Sequence, residues 1–242
     1  MKKASLLLFV LAAGLLVVSC GKSRKPEVKE AAKIASEGIF GSIGEDLVYL
    51  MDDYNLIDEE YNQKNEELKQ ELFSGAGSES KALKAMEKEK TLKEEREAKR
   101  EEVKKQFVSY VEELKGKELP TEIDERTPLK LVSPFTIVSI DKTSFKMIAE
   151  AKVEIINDRA ELDSWSKYKM DYIPYAVFLD GDGYKLHSDR NHVPTNMDEF
   201  STKLTAGTTK TVAFSLSFYS PKALSKVLAA KKISIRWEHP NR

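Results

Sequence analysis

The sequence predicts an α+β chain divided by segment: a long antiparallel, coiled-coil-like helical hairpin followed by a β-sandwich. Apolar residues at Leu47, Leu50, Tyr54, Ile57, Tyr61, Leu68 and Leu72 step mainly by three and four, which is a helical stripe. A break at 74–78, Ser-Gly-Ala-Gly-Ser, separates this stripe from a second proline-free stretch with the same spacing at Val103, Phe107, Tyr110 and Leu114. From Thr127 onward the period changes to two, and runs rich in Val, Ile and Phe alternate with turn residues.

The first twenty residues are read separately. Lys2 and Lys3 precede a short apolar run from Ser5 to Val18, too short to span a bilayer, which needs about 20 apolar residues. A basic start and a short apolar core read as an export signal that is later removed. Residues 1–19 are therefore assigned to the signal and 20–26 to a tether.

Pro26 suits a first helical turn, where its missing N–H costs nothing. The first helix is expected to run from Glu27 to Phe73. Gly38, Gly41 and Gly44 lie within it, where the register of the two helices brings Tyr110 and Leu114 onto Ile39 and Ile43; the glycines either admit the large side chains opposite or kink the helix. The second helix is expected from Glu79 to Lys115, so that 27–118 forms the arm. Between Glu87 and Glu102 it is almost wholly charged, with i,i+4 pairs such as Glu89 with Lys93, each worth about 0.2–0.5 kcal/mol. The turn at 74–78 sets a register with Leu92 opposite Tyr61, Val103 opposite Leu50 and Phe107 opposite Leu47. The arm is then well packed at its base and thinly packed toward its tip. Phe73, a large apolar residue beside a polar turn, is a candidate contact site there; the competing role is packing against Ala82 and Leu83.

A linker is expected over 119–126 and the β domain over 127–242. Its strands are read at Phe135–Ile140, Lys146–Ile156, Tyr172–Leu179, Thr211–Phe218 and Lys232–Trp237, with turns at 141–144 and 180–183 and a short helix over Pro221–Ala230. Thirteen aromatics lie between Phe135 and Trp237, which gives this domain the larger core. Short strands with this turn spacing indicate an immunoglobulin-like sandwich. Simple reversals between strands place the loops 158–171 and 188–207 at one end, together with the point where the arm joins.

The 39 basic and 40 acidic residues give a net charge of −1, so nothing global points to nucleic acid. Cys20 is the single cysteine, so no disulfide forms within one chain. Asp180-Gly-Asp-Gly183 resembles the start of a calcium loop, but the position of the closing Glu holds Asn191, and a tight turn is the reading adopted. His187 and His192, with Asp182 and Asp189 near, have poor spacing for zinc, so no metal and no cofactor are expected. Trp165, Tyr168 and Tyr172 lie in or beside a long loop and are candidate binding anchors, unless they cover the sandwich.

Two resemblances sharpen this. Val17-Val18-Ser19-Cys20 resembles the lipobox of bacterial lipoproteins, which implies acylation of Cys20 and a membrane anchor. The absence of Asp just after Cys20 implies, by the rule of that family, the outer membrane with the chain facing the periplasm. Lys22, Arg24 and Lys25 either meet anionic headgroups or form a solvated tether. Val153–Asn157, Val177–Tyr184 and Leu204–Phe214 resemble the FxLYD-type immunoglobulin-like domains of envelope lipoproteins, which implies an interaction module. The expected function is binding or scaffolding of another envelope protein or polymer. The alternative is an envelope hydrolase acting on glycans through Asp158, Glu161 or Asp189.

Overall fold

Pro26 opens the first helix, α1 (Pro26–Ser36), which buries Val28, Ala32 and Ala35 against the helix that follows. In this computed structural model the described residues are 24–74, 79–141, 143, 145–160, 174–186, 196–217 and 227–237. The chain is mixed α+β: α1, α2 (Ser42–Ser74), α3 (Glu79–Glu112), β1 (Thr121–Ile123), β2 (Leu129–Asp141), β3 (Lys146–Ile155), β4 (Tyr175–Leu179), α4 (Met197–Ser201), β5 (Thr209–Ser217) and β6 (Lys232–Arg236).

The continuous helix expected over 27–73 is broken at 37–41. Of the two roles open to the glycines there, the structure takes the kink, and the cause is contact rather than propensity. A Cβ on Gly38 would stand 1.6 Å from the carbonyl oxygen of Leu228, so only glycine lets the elbow meet the backbone before β6. The Ile39 N–H donates to the Ala230 carbonyl at 2.7 Å, and Lys231 Nζ donates to the Glu37 carbonyl. Gly41 turns the chain back with φ +59°, a region L side chains avoid. The segment after the apolar run is held as well. Arg24 stacks over the Tyr49 ring at 4.4 Å, donates to the Tyr49 carbonyl at 3.0 Å and pairs with Asp53 at 3.1 Å and Asp52 at 3.5 Å. Burial pushes both carboxyls up despite the guanidinium beside them.

Helix α2 lies along α3, and Leu47, Leu50, Val103 and Phe107 are all buried in one core. Partner numbers fall along α2 as they rise along α3: Lys88 meets Glu71, Arg96 and Arg100 meet Asp58, and Lys99 meets Glu60. These partners sit about half a turn to two turns nearer the end of α2 than the backbone register expected from the turn. The offset follows from side-chain lean: helical side chains point toward their own N-terminus, which separates the two ends of each pair. Burial pushes Asp58 up, but hydrogen bonds from Arg100 and Arg96 outweigh it and hold the carboxyl below its ordinary range.

The expected linker at 119–126 is corrected: it contains a strand. β1 pairs in parallel with β6, and the sheets have the orders β1-β6-β4 and β2-β3-β5. β2 with β3, β3 with β5 and β4 with β6 are all antiparallel. Phe214 of β5 joins the sheets, with Phe135 of β2 at 4.7 Å and Phe178 of β4 at 5.8 Å, both edge-on. β1 was hidden because three residues carry no periodicity and its partner lies more than a hundred positions away.

This strand also moves the helices. β1 carries the chain along the sheets before β2 starts, which adds a reversal to the expected path. The helices therefore join at the end holding the β2–β3 turn and the start of β6. The stretch at Arg159, whose backbone exchanges hydrogen bonds with Leu204 at 2.9 Å, lies at the opposite end. Phe145 makes the junction. It leaves the β2–β3 turn at φ +48° and stands edge-on to Tyr54 of α2 at 4.8 Å and to Phe107 of α3 at 5.2 Å. Helices and sheets thus share one hydrophobic core.

Asp124 fastens the far end of β1. Its N–H donates to the Ile235 carbonyl, and its carboxylate accepts from the Arg126 N–H, Nε and guanidinium NH2 at 2.9, 2.9 and 2.6 Å. Hydrogen bonds from Arg126 take its pKa down to about 2. A depressed carboxyl stabilises the fold above its unfolded pKa and stops doing so as pH falls through the folded value. Asp124→Asn is therefore expected to cost about 1–2 kcal/mol at neutral pH, discounted for the exposure of Arg126, with the difference closing between roughly pH 4 and pH 2. Denaturant unfolding of both proteins across that range checks it; a difference independent of pH would contradict it.

Candidate functional site

The far part of the helix pair departs most from ordinary packing. Among the described residues of α3 from Leu83 to Lys99, Ala85 alone is buried. A groove of about 580 Å³ opens between the helices along this stretch. Leu68 and Leu92 give it an apolar floor, while Lys64, Lys84, Glu67 and Glu87 stand on its rim. The rim charges alternate in sign, so the groove has no single-sign field.

Large apolar residues remain exposed along the same stretch of the two helices. Leu72 follows Leu68 by one turn of α2 and is 37% exposed. Leu83 and Met86 are neighbours at i,i+3 on α3, exposed by 60% and 67%. Single exposed aliphatics are ordinary, but three within the far part of one helix pair are a concentration of exposed apolar surface of the kind that marks contact regions. Sequence reading named this region through Phe73, whose side chain lies outside the described residues. Met86 was missed because the charged run around it masks any helical period; Leu72 and Leu83 were read only as packing.

The other candidates divide. Cys20, Trp165, Tyr168, Tyr172, Glu161, His187, Asp189 and His192 lie outside the described residues. Asp158 accepts the Ala206 N–H at 2.7 Å and serves the turn before β5. The Asp180 carboxylate accepts from the N–H groups of Asp182 and Tyr184 at 3.0 and 2.8 Å, which is a hydrogen-bonded turn. Among the described residues no group of three or more His, Cys, Asp or Glu is placed to hold a metal ion, and no helix is long and apolar enough to cross a membrane. Arg24, read as a possible headgroup contact, is instead turned onto α2 by Tyr49, Asp52 and Asp53.

Comparison with protein-family models, with curated proteins and with solved structures finds no match for this chain. What the site can do is then a matter of its own geometry. An apolar floor with a mixed-charge rim and no buried titratable side chain is suited to holding a surface or a segment of another molecule rather than to bond chemistry.

Proposed function

We propose that this protein is a lipid-anchored component of the bacterial envelope that binds another envelope protein or polymer through the distal groove of a helical arm. In this reading α2 and α3 form an antiparallel hairpin arm, and the two sheets form an immunoglobulin-like sandwich that supports it. The observation that carries the binding role is the exposure of Leu72, Leu83 and Met86 on the same far stretch of the helix pair that holds the groove. The sandwich reading draws support from strand order: β2-β3-β5 corresponds to A-B-E, β4 beside β6 corresponds to C-F, and β1 takes the outer place that strand G would hold. Its departure is that β1 runs parallel to β6. The anchor rests on the lipobox resemblance at Cys20.

Two variants test the two halves of the reading separately. Cys20→Ala is expected to release the protein from membranes or leave it unprocessed, read by fractionation and by the mass of the N-terminal peptide. Leu83→Glu with Met86→Glu is expected to reduce partner recovery from cross-linked envelopes about tenfold or more, since each side chain is worth more than 1 kcal/mol if it is a contact anchor. Both positions are exposed, so melting should stay within about 1 kcal/mol of the parent. Undiminished recovery from the folded double variant overturns the distal site.

A further inference from the structure

The helix nearest the proposed anchor carries a charge pattern that the packing does not use. Lys25, Lys29 and Lys33 recur every four residues on α1 and share one face, within an arc of about 80°. All three are exposed. Glu27 and Glu30 lie further round the helix, and Val28, Ala32 and Ala35 face α2. Most described lysines on the long helices are used differently: Lys69, Lys88, Lys93, Lys99 and Lys104 each pair with a glutamate. Lys29 and Lys33 take part in no ion pair among the described residues, while Lys25 lies near enough to Asp52 to draw its carboxyl down.

The position of this row matters as much as its sign. Arg24 is fixed to α2 by its ring contact and its two carboxylates. Four peptide steps separate it from Cys20, a chain that spans at most about 14 Å when fully extended. The clamp therefore denies α1 a long leash. If Cys20 bears the lipid, the near end of the lysine row is held within about two Debye lengths of the headgroups, where a positive charge is still attracted to an anionic surface, and α1 lying flat brings the rest of the row as close.

We propose that the Lys25–Lys29–Lys33 face of α1 docks on an anionic lipid surface, as a second membrane signal beside the acyl chains. The proposal rests on the lipid-anchored reading above for its location, and on the exposed lysine row, unpaired at Lys29 and Lys33, and the Arg24 clamp for its chemistry. Docking lays α1 against the membrane. Since α1 is packed on α2, the bilayer then sets the direction in which the rest of the helix pair extends. α2 continues about 30 Å beyond Asp53, which carries the distal groove away from the point of attachment.

The test uses the chain from residue 20 with Cys20→Ala, which keeps every described residue and removes both lipid and signal. Co-sedimentation is measured with phosphatidylcholine vesicles with and without phosphatidylglycerol. The parent is expected to bind only the anionic vesicles, more weakly as salt rises. Lys29→Gln with Lys33→Gln is expected to weaken that binding about thirtyfold, because each lysine near such a surface is worth about one power of ten to the three-quarters. Lys90→Gln with Lys105→Gln, on exposed α3 positions, is expected to change it less than about twofold. Equal binding to neutral vesicles, no binding of the parent, or the same loss in both double variants overturns the proposal. A Cys20 found without acyl chains in cells overturns the anchoring reading instead, and the vesicle result does not depend on it.

Discussion

Gly38→Ala is expected to destabilise the protein by about 3 kcal/mol or more and to lower its melting temperature by roughly 6–12 °C. The new Cβ would stand 1.6 Å from the Leu228 carbonyl oxygen and 2.7 Å from its carbon. Backbone atoms cannot swing aside as a side-chain end can, so the elbow or the segment before β6 must move. Either movement breaks the 2.7 Å hydrogen bond from Ile39 to Ala230. The comparison that isolates the cause is Gly41→Ala. A Cβ there meets nothing within 4 Å, and only its φ of +59° is unfavourable, so about 1 kcal/mol is expected. Thermal unfolding of the two variants checks the order. A Gly41 variant hit as hard as the Gly38 variant would mean that the turn, rather than the docking of the elbow, is what the glycines serve.

Phe145→Ala is expected to cost about 3–5 kcal/mol, as large-to-small changes at buried aromatics do. Phe145 is 6% exposed and fills the space between Tyr54 and Phe107, with both rings edge-on. Its removal empties the junction of α2, α3 and the β2–β3 turn together. The backbone adds a second expectation. At φ +48° the residue sits where glycine is favoured, so Phe145→Gly should be more stable than Phe145→Ala by about 0.5–1 kcal/mol even though it is smaller. Denaturant unfolding measures both. A loss below about 1 kcal/mol in Phe145→Ala would show that the helices and sheets do not share a core at this point.

These two residues also mark where sequence reading stopped. The strands at 146–155 and 175–179 were visible because alternation and continuous apolarity are local patterns, and their burial follows them. The helices were visible for the same reason. The glycines at 38 and 41 signalled a break, but its purpose depends on Leu228 and Ala230, far along the chain. Phe145 stands at the end of a polar turn, where a large ring has no local explanation; that mismatch was the available signal. β1 gave none, since a three-residue parallel strand is specified by its partner. One missed strand was enough to reverse the end at which the helices attach. The distal groove was legible only as a lack of apolar spacing on α3 after Glu87, and its exposed side chains, Leu83 and Met86, emerged from the packing.

The central claim, that the far part of the helix pair is the contact surface, is tested most directly by site-specific photo-cross-linking in intact cells. A photoreactive residue at Met86, 67% exposed on the far part of α3, is compared with one at Val132, 52% exposed on β2. A discrete envelope adduct from Met86 and none from Val132 is the predicted result. An adduct from Val132 with none from Met86 would contradict the claim and move the contact surface to the sheets.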